Sequence, residues 1–289
     1  MLTMNIESSI QTSVAETWRS VSTLPYNFAR GGAVVYQDKL YITGGSSSAT
    51  RRYFYKFENS QWTVLDDLLY SYHDHQMVVY NNEIHVIGGY NSSKRHTKWN
   101  GSSWEALANI PVEFTYQSAV VYNDEIHLLG GINRTAHYKW DGISWTKLAN
   151  LPMKVYHGSA VVYNNEIHVF GGWAMPTSHY KWDGTSWSSV STIPYEFVSG
   201  GAVVYKDEIH LLGGDGTFGY HYKWNGTSWS SVSTIPYAFY RGNVVVFDDA
   251  IHVLGGDSGY TCHYSYNRSI TFSDIEAISN TCLFMKGGL

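Results

Sequence analysis

The sequence contains one short cluster of side chains that could perform acid–base or metal chemistry, His73-Asp74-His75. Imidazole and carboxylate groups transfer protons near neutral pH, and two histidines separated by one residue can ligate a metal ion. The sequence fixes no third ligand beside this cluster. Cys262 has no assigned base and Cys282 lies close to the end of the chain, so a cysteine nucleophile is not expected. We therefore predict no catalytic residue, no metal and no cofactor.

Composition favours recognition through aromatic side chains over recognition through charge. The chain has 289 residues, 24 Tyr, 11 Trp and 13 His, but only 15% charged residues and a net charge of −5. A pI near 6.2 without a Lys/Arg run argues against binding to nucleic acid or acidic membranes. No apolar stretch reaches the roughly 18 to 20 residues that span a bilayer, and the first residues lack a signal-peptide pattern. We expect a soluble protein that is cytoplasmic or virion-associated.

The elements that would position these side chains belong to an internal repeat of 41 to 44 residues. A glycine pair and a tryptophan each mark every repeat. The pairs are Gly44-Gly45, Gly88-Gly89, Gly130-Gly131, Gly171-Gly172, Gly213-Gly214 and Gly255-Gly256, and the tryptophans are Trp18, Trp62, Trp104, Trp145, Trp187 and Trp229. Strand-rich repeats of this length are typical of β-propellers. The sequence predicts an all-β, six-bladed propeller over residues 16–268, an N-terminal extension over 1–15 and a C-terminal tail over 269–289.

Each repeat has the pattern of a four-stranded antiparallel blade, with strands a to d running outward from the centre. In the fourth repeat we expect strands at 159–163, 166–172, 179–182 and 186–193. Asn164-Asn165 and Asp183-Gly184 fit the short turns between them. The sixth repeat has no tryptophan where its strand d is expected. Because the segment around Trp18 matches a strand d, we predict that the N-terminal strand completes the last blade and closes the ring.

The glycine pairs, the aromatic residue of strand c and the tryptophan of strand d resemble the kelch-repeat β-propellers. The resemblance covers roughly residues 17 to 267 and implies a propeller fold. Two features depart from the family, since the period is shorter than about 50 residues and arginine precedes strand a only at Arg30 and Arg241. Trp140-Asp141 is similar to the WD-repeat dipeptide, but a c–d turn explains its aspartate. The self-similar style also resembles propellers of bacteria and their phages.

Comparison among the six repeats separates scaffold residues from candidates for function. Ten of the 13 histidines and ten of the 11 tryptophans recur at fixed positions in strands b, c and d. Six-fold repeated side chains are spread around an axis and cannot converge on one metal, so we expect these histidines to be hydrogen-bonded within the frame. The exceptions are His73, His75, His157 and Trp173. All four are predicted at the same end of the propeller.

That end carries the b–c loops and the d–a connections, which vary between repeats and should surround the central channel. Arg30 and Arg241 would be neighbours there, because blade six adjoins blade one. Two guanidinium groups suit a carboxylate or sulfate, whereas pairing of Arg30 and Asp74 with each other or with the rim is the structural alternative. Arg51 and Arg52 would extend this basic sector. The predicted ligand-binding residues are Trp173, Arg30, Arg241, Tyr116, His157, Asp74, His73, His75, Tyr156, Tyr240 and Arg52.

We predict a non-catalytic recognition module that binds a glycan or a protein surface, without nucleic acid and without membrane insertion. The bacterial and phage resemblance implies host-surface binding in a larger assembly. Two alternatives remain at this stage. A kelch-type sugar mutarotase would need only a polar, aromatic channel mouth, and an architectural subunit would make its assembly contacts through residues 1–15 or 269–289.

Overall fold

Six sheets arranged around a central channel form a six-bladed β-propeller in the computed structural model, which describes residues 16–45, 52–132, 134–214, 218–257 and 261–267. The predicted N-terminal extension and C-terminal tail lie outside the described residues. Within the described part the only helical segment is a 3₁₀ turn at Tyr90–Ser92, so no helix there is long enough to cross a membrane. The predicted fold class is confirmed.

Every blade has four antiparallel strands, ordered from an inner strand a to an outer strand d. Blade 1 contains β2 (Gly32–Tyr36), β3 (Lys39–Thr43), β4 (Phe54–Glu58) and β5 (Gln61–Val64); blade 2 contains β6 (Gln76–Tyr80), β7 (Glu83–Ile87), β8 (His96–Trp99) and β9 (Trp104–Ala106); blade 3 contains β10 (Gln117–Tyr122), β11 (Glu125–Gly130), β12 (His137–Trp140) and β13 (Trp145–Lys147). Blade 4 contains β14 (Ser159–Tyr163), β15 (Glu166–Phe170), β16 (His179–Trp182) and β17 (Trp187–Ser189); blade 5 contains β18 (Gly201–Tyr205), β19 (Glu208–Leu212), β20 (His221–Trp224) and β21 (Trp229–Ser231); blade 6 contains β22 (Asn243–Phe247), β23 (Ala250–Leu254), β24 (Cys262–Asn267) and β1 (Thr17–Thr23).

The N-terminal strand closes the ring as predicted. β1 pairs antiparallel with β24, from Thr17 opposite Asn267 to Thr23 opposite Cys262. The pairing register shifts between Ser20 and Ser22, which places a β-bulge in the outer strand of blade 6. The last blade is thus built from both ends of the described chain, and β1 covers the outer edge of β24.

Turn chemistry sets the strand boundaries. Asn164 and Asn165 have φ angles of 48° and 59°, which asparagine tolerates better than most residues and which suit a two-residue hairpin. The expected strand b of blade 4 is two residues too long, because Gly171 and Gly172 turn the chain with φ angles of 56° and 97°. Its outer strand is also shorter than expected. Beyond Ser189 the chain leaves the strand to run beside the b–c loop.

The glycine pairs join neighbouring blades. In blade 4 the Gly172 N–H donates to the Phe197 carbonyl of blade 5 at 2.9 Å. A Cβ atom at Gly171 would lie 2.1 Å from the same carbonyl oxygen, so only glycine allows this approach. The second glycine makes an equivalent bond to the next blade in all six blades. Apolar side chains fill the space between the blades, as where Val120 of blade 3 packs with Ile167 and Val169 of blade 4.

The repeated histidines belong to the scaffold, as predicted. In each of blades 2 to 6 the strand b histidine lies 2.8 Å from the strand c histidine, Nδ1 to Nε2, in the pairs His85–His96, His127–His137, His168–His179, His210–His221 and His252–His263. Burial lowers the pKa of all ten imidazoles. Blade 1 has a stacked Tyr41–Phe54 pair at these positions. An aromatic pair can therefore replace the histidines within the same frame.

Candidate functional site

Six residues form a closed ring at the channel mouth, one from each d–a connection. We name this ring the collar, and its members are Arg30, Asp74, Tyr116, His157, Ser199 and Arg241. The backbone N–H of each collar residue donates to the carbonyl of the collar residue in the preceding blade, with N···O distances of 2.7 to 3.4 Å. The last bond, from Arg30 to Arg241, joins blade 1 to blade 6. The collar backbone is thus fixed by the fold, and its side chains border the channel.

Every collar residue adopts a left-handed backbone conformation, with φ between 53° and 62°. For residues other than glycine this conformation costs roughly 1 to 2 kcal/mol, and asparagine and aspartate bear it best. The a–b turns need the same conformation and mostly use Asn and Asp, as at Asn81-Asn82 and Asp248-Asp249. Five of the six collar positions instead hold arginine, tyrosine, histidine or serine, and only Asp74 is of the type that the a–b turns use. The fold requires the left-handed conformation at these positions but not these residue types. Residues that are held in a strained backbone conformation are characteristic of functional sites.

The collar surrounds a cavity of about 220 Å³ at the centre of the propeller. Below the collar the wall is formed by small residues of the inner strands, including Ala33, Ala119, Ala160 and Ala202. This volume is smaller than the roughly 300 to 1,000 Å³ of pockets for drug-sized ligands. The cavity suits one small ring or a terminal group of a larger ligand.

One half of the mouth carries alternating charges. Arg241 Nη1 donates to Asp257 Oδ2 at 2.9 Å, and Arg30 Nη2 lies 3.6 Å from the same carboxylate. Arg30 Nη1 lies 4.0 Å from Asp74, which also accepts a 2.8 Å contact from His73 Nδ1. The two guanidinium and two carboxylate charges cancel. The structure thus places Arg30 between two carboxylates, those of Asp74 and Asp257. The sequence had not singled out Asp257 as a partner.

The other half of the mouth is aromatic. The rings of Tyr116 and His157 lie 4.3 Å apart between centroids, and Tyr156 contacts both rings. Burial, reinforced by Arg241 and Arg30, lowers the pKa of His157 to about 3, so this imidazole is neutral at physiological pH. Burial also raises the pKa of Tyr116 to about 12. Both groups therefore act as neutral hydrogen-bonding partners.

Exposed apolar side chains stand outside the collar on the b–c loops. We name them the outer arc: Tyr90, Ile132, Trp173, Met175 and Phe218. Trp173 is 58% exposed, and its backbone N–H donates to the Tyr156 carbonyl, one residue before the collar. Tyr90 and Ile132 occupy the equivalent position in blades 2 and 3, directly after the glycine pair. Sequence reasoning found Trp173 by residue type and missed the other two, although their position after the glycines was a usable signal.

The remaining predicted residues have distinct environments. Tyr240 lies beneath the Arg241 guanidinium, 4.4 Å from carbon Cζ to the ring centroid. His75 is buried, with its Nε2 atom 2.8 Å from Thr43 Oγ1, and burial lowers its pKa to about 3. Arg52 donates from Nε to the Leu68 carbonyl and supports the chain before blade 2. Arg51 lies outside the described residues. No group of three or more His, Cys, Asp or Glu within the described ranges is placed to hold a metal ion.

Comparison with known proteins supports the fold and gives no family. No family model matches the chain, and no curated protein does. Among solved structures, 432 chains are similar, which shows how widely this architecture is shared. One of them, described as the structure of YjhT, has a TM-score of 0.74 and 15% sequence identity, covering 85% of this chain and 95% of that one. A likeness at this identity shows that the two chains share the β-propeller fold.

Proposed function

We propose that this propeller is a non-catalytic module that recognises a carbohydrate at its collar and outer arc. The observation that carries the proposal is the collar itself, in which six side chains surround the channel mouth despite the backbone cost of holding them there. A purely structural ring would be more stable with glycine, asparagine or aspartate at these positions. The collar side chains are therefore retained for what they bind.

The hydrogen-bonding capacity of the collar suits hydroxyl groups. Arg30 has five N–H donors, and none of them makes a hydrogen bond to another described residue. The hydroxyl of Ser199 is buried without a partner among the described residues. Asp74 and Asp257 supply acceptors beside these donors. Because each sugar hydroxyl both donates and accepts, a mouth with both functions and balanced charge favours a neutral sugar over an isolated anion.

The outer arc supplies the apolar part of carbohydrate recognition. Sugar rings present C–H faces that pack on aromatic side chains, and Tyr90 and Trp173 expose such surfaces beside the collar. Five of the eight large apolar side chains that are exposed among the described residues belong to this arc. The arrangement would place one sugar residue at the collar and its neighbours over blades 2 to 5.

Two finer assignments belong to the same proposal. The glycine-pair bonds between blades and the periodic tryptophans support a place among kelch-like propellers. The self-similar blades support host-surface binding in a bacterial or phage assembly.

The mutarotase alternative is less favoured, because a general base works best with a pKa near the operating pH, whereas the pKa of His157 is about 3.

A glycan array tests the proposal with three variants of the full chain. We expect wild-type protein to bind a subset of glycans, Arg30→Ala to weaken that binding by at least about tenfold, and Trp173→Ala to weaken it by about two- to tenfold. Ile143→Ala is the matched control, since Ile143 is 83% exposed in a c–d turn at the opposite end. The proposal fails if no glycan binds, or if Arg30→Ala and Trp173→Ala both bind as well as wild type and the Ile143→Ala control. Accelerated exchange between sugar anomers, seen by NMR, would instead support the enzyme.

A further inference from the structure

Each inner strand has one backbone edge that faces the channel. In every blade strand a pairs only with strand b, and the six inner strands neighbour one another around the axis. In blade 4 a two-residue turn joins Tyr163 to Glu166, so these two residues form a hydrogen-bonded pair. Because hydrogen-bonded and non-hydrogen-bonded pairs alternate along two antiparallel strands, Ala160 opposite Val169 belongs to a non-hydrogen-bonded pair. The N–H and C=O groups of Ala160 therefore point toward the channel.

The same register recurs in the other five blades and produces a ring of such residues. We name this ring the wall ring, and all six of its members border the cavity: Ala33, Met77, Ala119, Ala160, Ala202 and Val244. Four of them are alanines, whose small side chains leave the backbone accessible. The cavity wall below the collar thus presents six N–H donors and six C=O acceptors that strand pairing does not use.

The collar above the wall ring uses its backbone differently. Each collar N–H donates to the carbonyl of the preceding collar residue, so the collar offers a ligand its side chains. A ligand that enters the channel therefore meets side chains at the mouth and backbone groups further in. Both layers contain donors and acceptors, and a hydroxyl group can bond to either kind.

The cavity ends inside the propeller. Two residues beyond each member of the wall ring stands a valine, and none of these six valines borders the cavity: Val35, Val79, Val121, Val162, Val204 and Val246. The cavity thus opens at the collar and ends above the valines. A disaccharide belongs with drug-sized ligands, whose pockets measure roughly 300 to 1,000 Å³. The cavity of about 220 Å³ has room for one monosaccharide.

A glycan residue inside this cavity has one way out. An internal residue carries two linkages, and both would have to leave through a mouth that the collar surrounds on every side. A terminal residue carries one linkage and keeps its other hydroxyls free for the wall ring. The rest of the glycan then leaves over the outer arc, whose exposed side chains lie on blades 2 to 5.

We propose that this propeller binds glycans by their non-reducing ends: the terminal residue enters the cavity through the collar, and its hydroxyls bond to the backbone groups of the wall ring. The inference rests on the proposed carbohydrate site and specifies which part of the glycan that site takes. The non-reducing end is the free one in a surface glycan, because the reducing end is attached to the carrier. Binding therefore depends more on the terminal residue than on its neighbours.

Calorimetric titration of the full chain with modified forms of the array-selected glycan tests the proposal. One extra sugar residue on the non-reducing end should weaken binding at least about tenfold, because the lengthened end overfills the cavity. The matched control carries the same extra residue on the reducing end and should bind within about twofold of the parent glycan. Removal of one hydroxyl from the terminal residue should weaken binding about two- to tenfold. The methyl glycoside of the terminal residue alone should displace the parent glycan.

A variant of the collar tests the same entry from the side of the protein. Ser199→Tyr copies Tyr116, which holds the equivalent position in blade 3 with the same left-handed backbone. The larger ring narrows the mouth and should weaken binding of the parent glycan at least about tenfold. Ser230→Tyr is the matched control, because Ser230 is exposed on the outer strand β21. This control should bind like wild type.

The outcomes separate the end-on inference from the proposed function. If some glycan binds but tolerates extension of its non-reducing end, or loses affinity only on extension of its reducing end, the end-on inference is overturned and the recognition module stands. Wild-type affinity of Ser199→Tyr, or an equal loss in Ser230→Tyr, would also overturn it. If no glycan binds, both proposals fall. The two extended glycans need no variant and decide the question even if Ser199→Tyr does not fold.

Discussion

Replacement of Ser199 by glycine should stabilise the protein, although it removes a side chain. Ser199 has a φ of 60°, and its hydroxyl is buried without a hydrogen-bond partner among the described residues. Glycine would relieve the left-handed strain of roughly 1 to 2 kcal/mol. The greater freedom of glycine in the unfolded chain offsets about 0.4 to 1 kcal/mol of this gain. The net expectation is an increase of about 0.5 to 1 kcal/mol in the free energy of unfolding.

Urea unfolding followed by tryptophan fluorescence, together with calorimetry, measures this change. For a chain of this size the expected gain corresponds to a rise in Tm of about 1 to 4 °C. Ser159→Gly is the matched control, because Ser159 also borders the cavity but lies in strand β14 without positive φ. There, glycine should cost about 0.5 to 1 kcal/mol. If Ser199→Gly destabilises as much as Ser159→Gly, the collar is not strained and the inference drawn from it fails.

Two further expectations concern the frame. The ten paired histidines are neutral in the folded protein but titrate near pH 6.5 in the unfolded chain. The free energy of unfolding therefore has its full value above pH 6.5 and decreases as the pH is lowered below 6.5. If the unfolded chain binds one extra proton per histidine pair, the free energy of unfolding decreases by at least about 4 kcal/mol between pH 7.5 and 6.0. A urea midpoint that stays constant over this range would contradict the expectation. At the blade junction, Gly171→Ala should cost about 3 kcal/mol or more, because its Cβ would lie 2.1 Å from the Phe197 carbonyl. Gly184→Ala, where the nearest atom is 3.3 Å away, should cost clearly less in the same unfolding measurement.

The fold could be predicted because most structural positions recur in five or six of the blades. The glycine pairs recur where a Cβ would meet a carbonyl of the next blade, and the strand around Trp18 matched the other outer strands. Such requirements are local and periodic, so they leave a direct record in the sequence. The histidine pairs followed from the same comparison.

The site was predictable in location but not in its contacts. Arg30 was placed at the mouth, yet its contact with Asp257 depends on how far two side chains from different blades reach, which spacing does not reveal. The left-handed collar went unseen because arginine, tyrosine and histidine give no signal for that conformation. Tyr90 was missed because tryptophans were compared by type and not by their position after the glycines.

The most direct test of the carbohydrate site is a ¹⁵N NMR titration that follows the side-chain N–H signals of Arg30 and Trp173 as the array-selected glycan is added. Trp229 Nε1, which donates to Ser191 within the frame, is the internal reference. We predict that the Arg30 and Trp173 signals shift together and saturate with one Kd while the Trp229 signal stays in place. Saturable binding that leaves both signals unchanged, or shifts confined to the opposite end around Ile143, would contradict it.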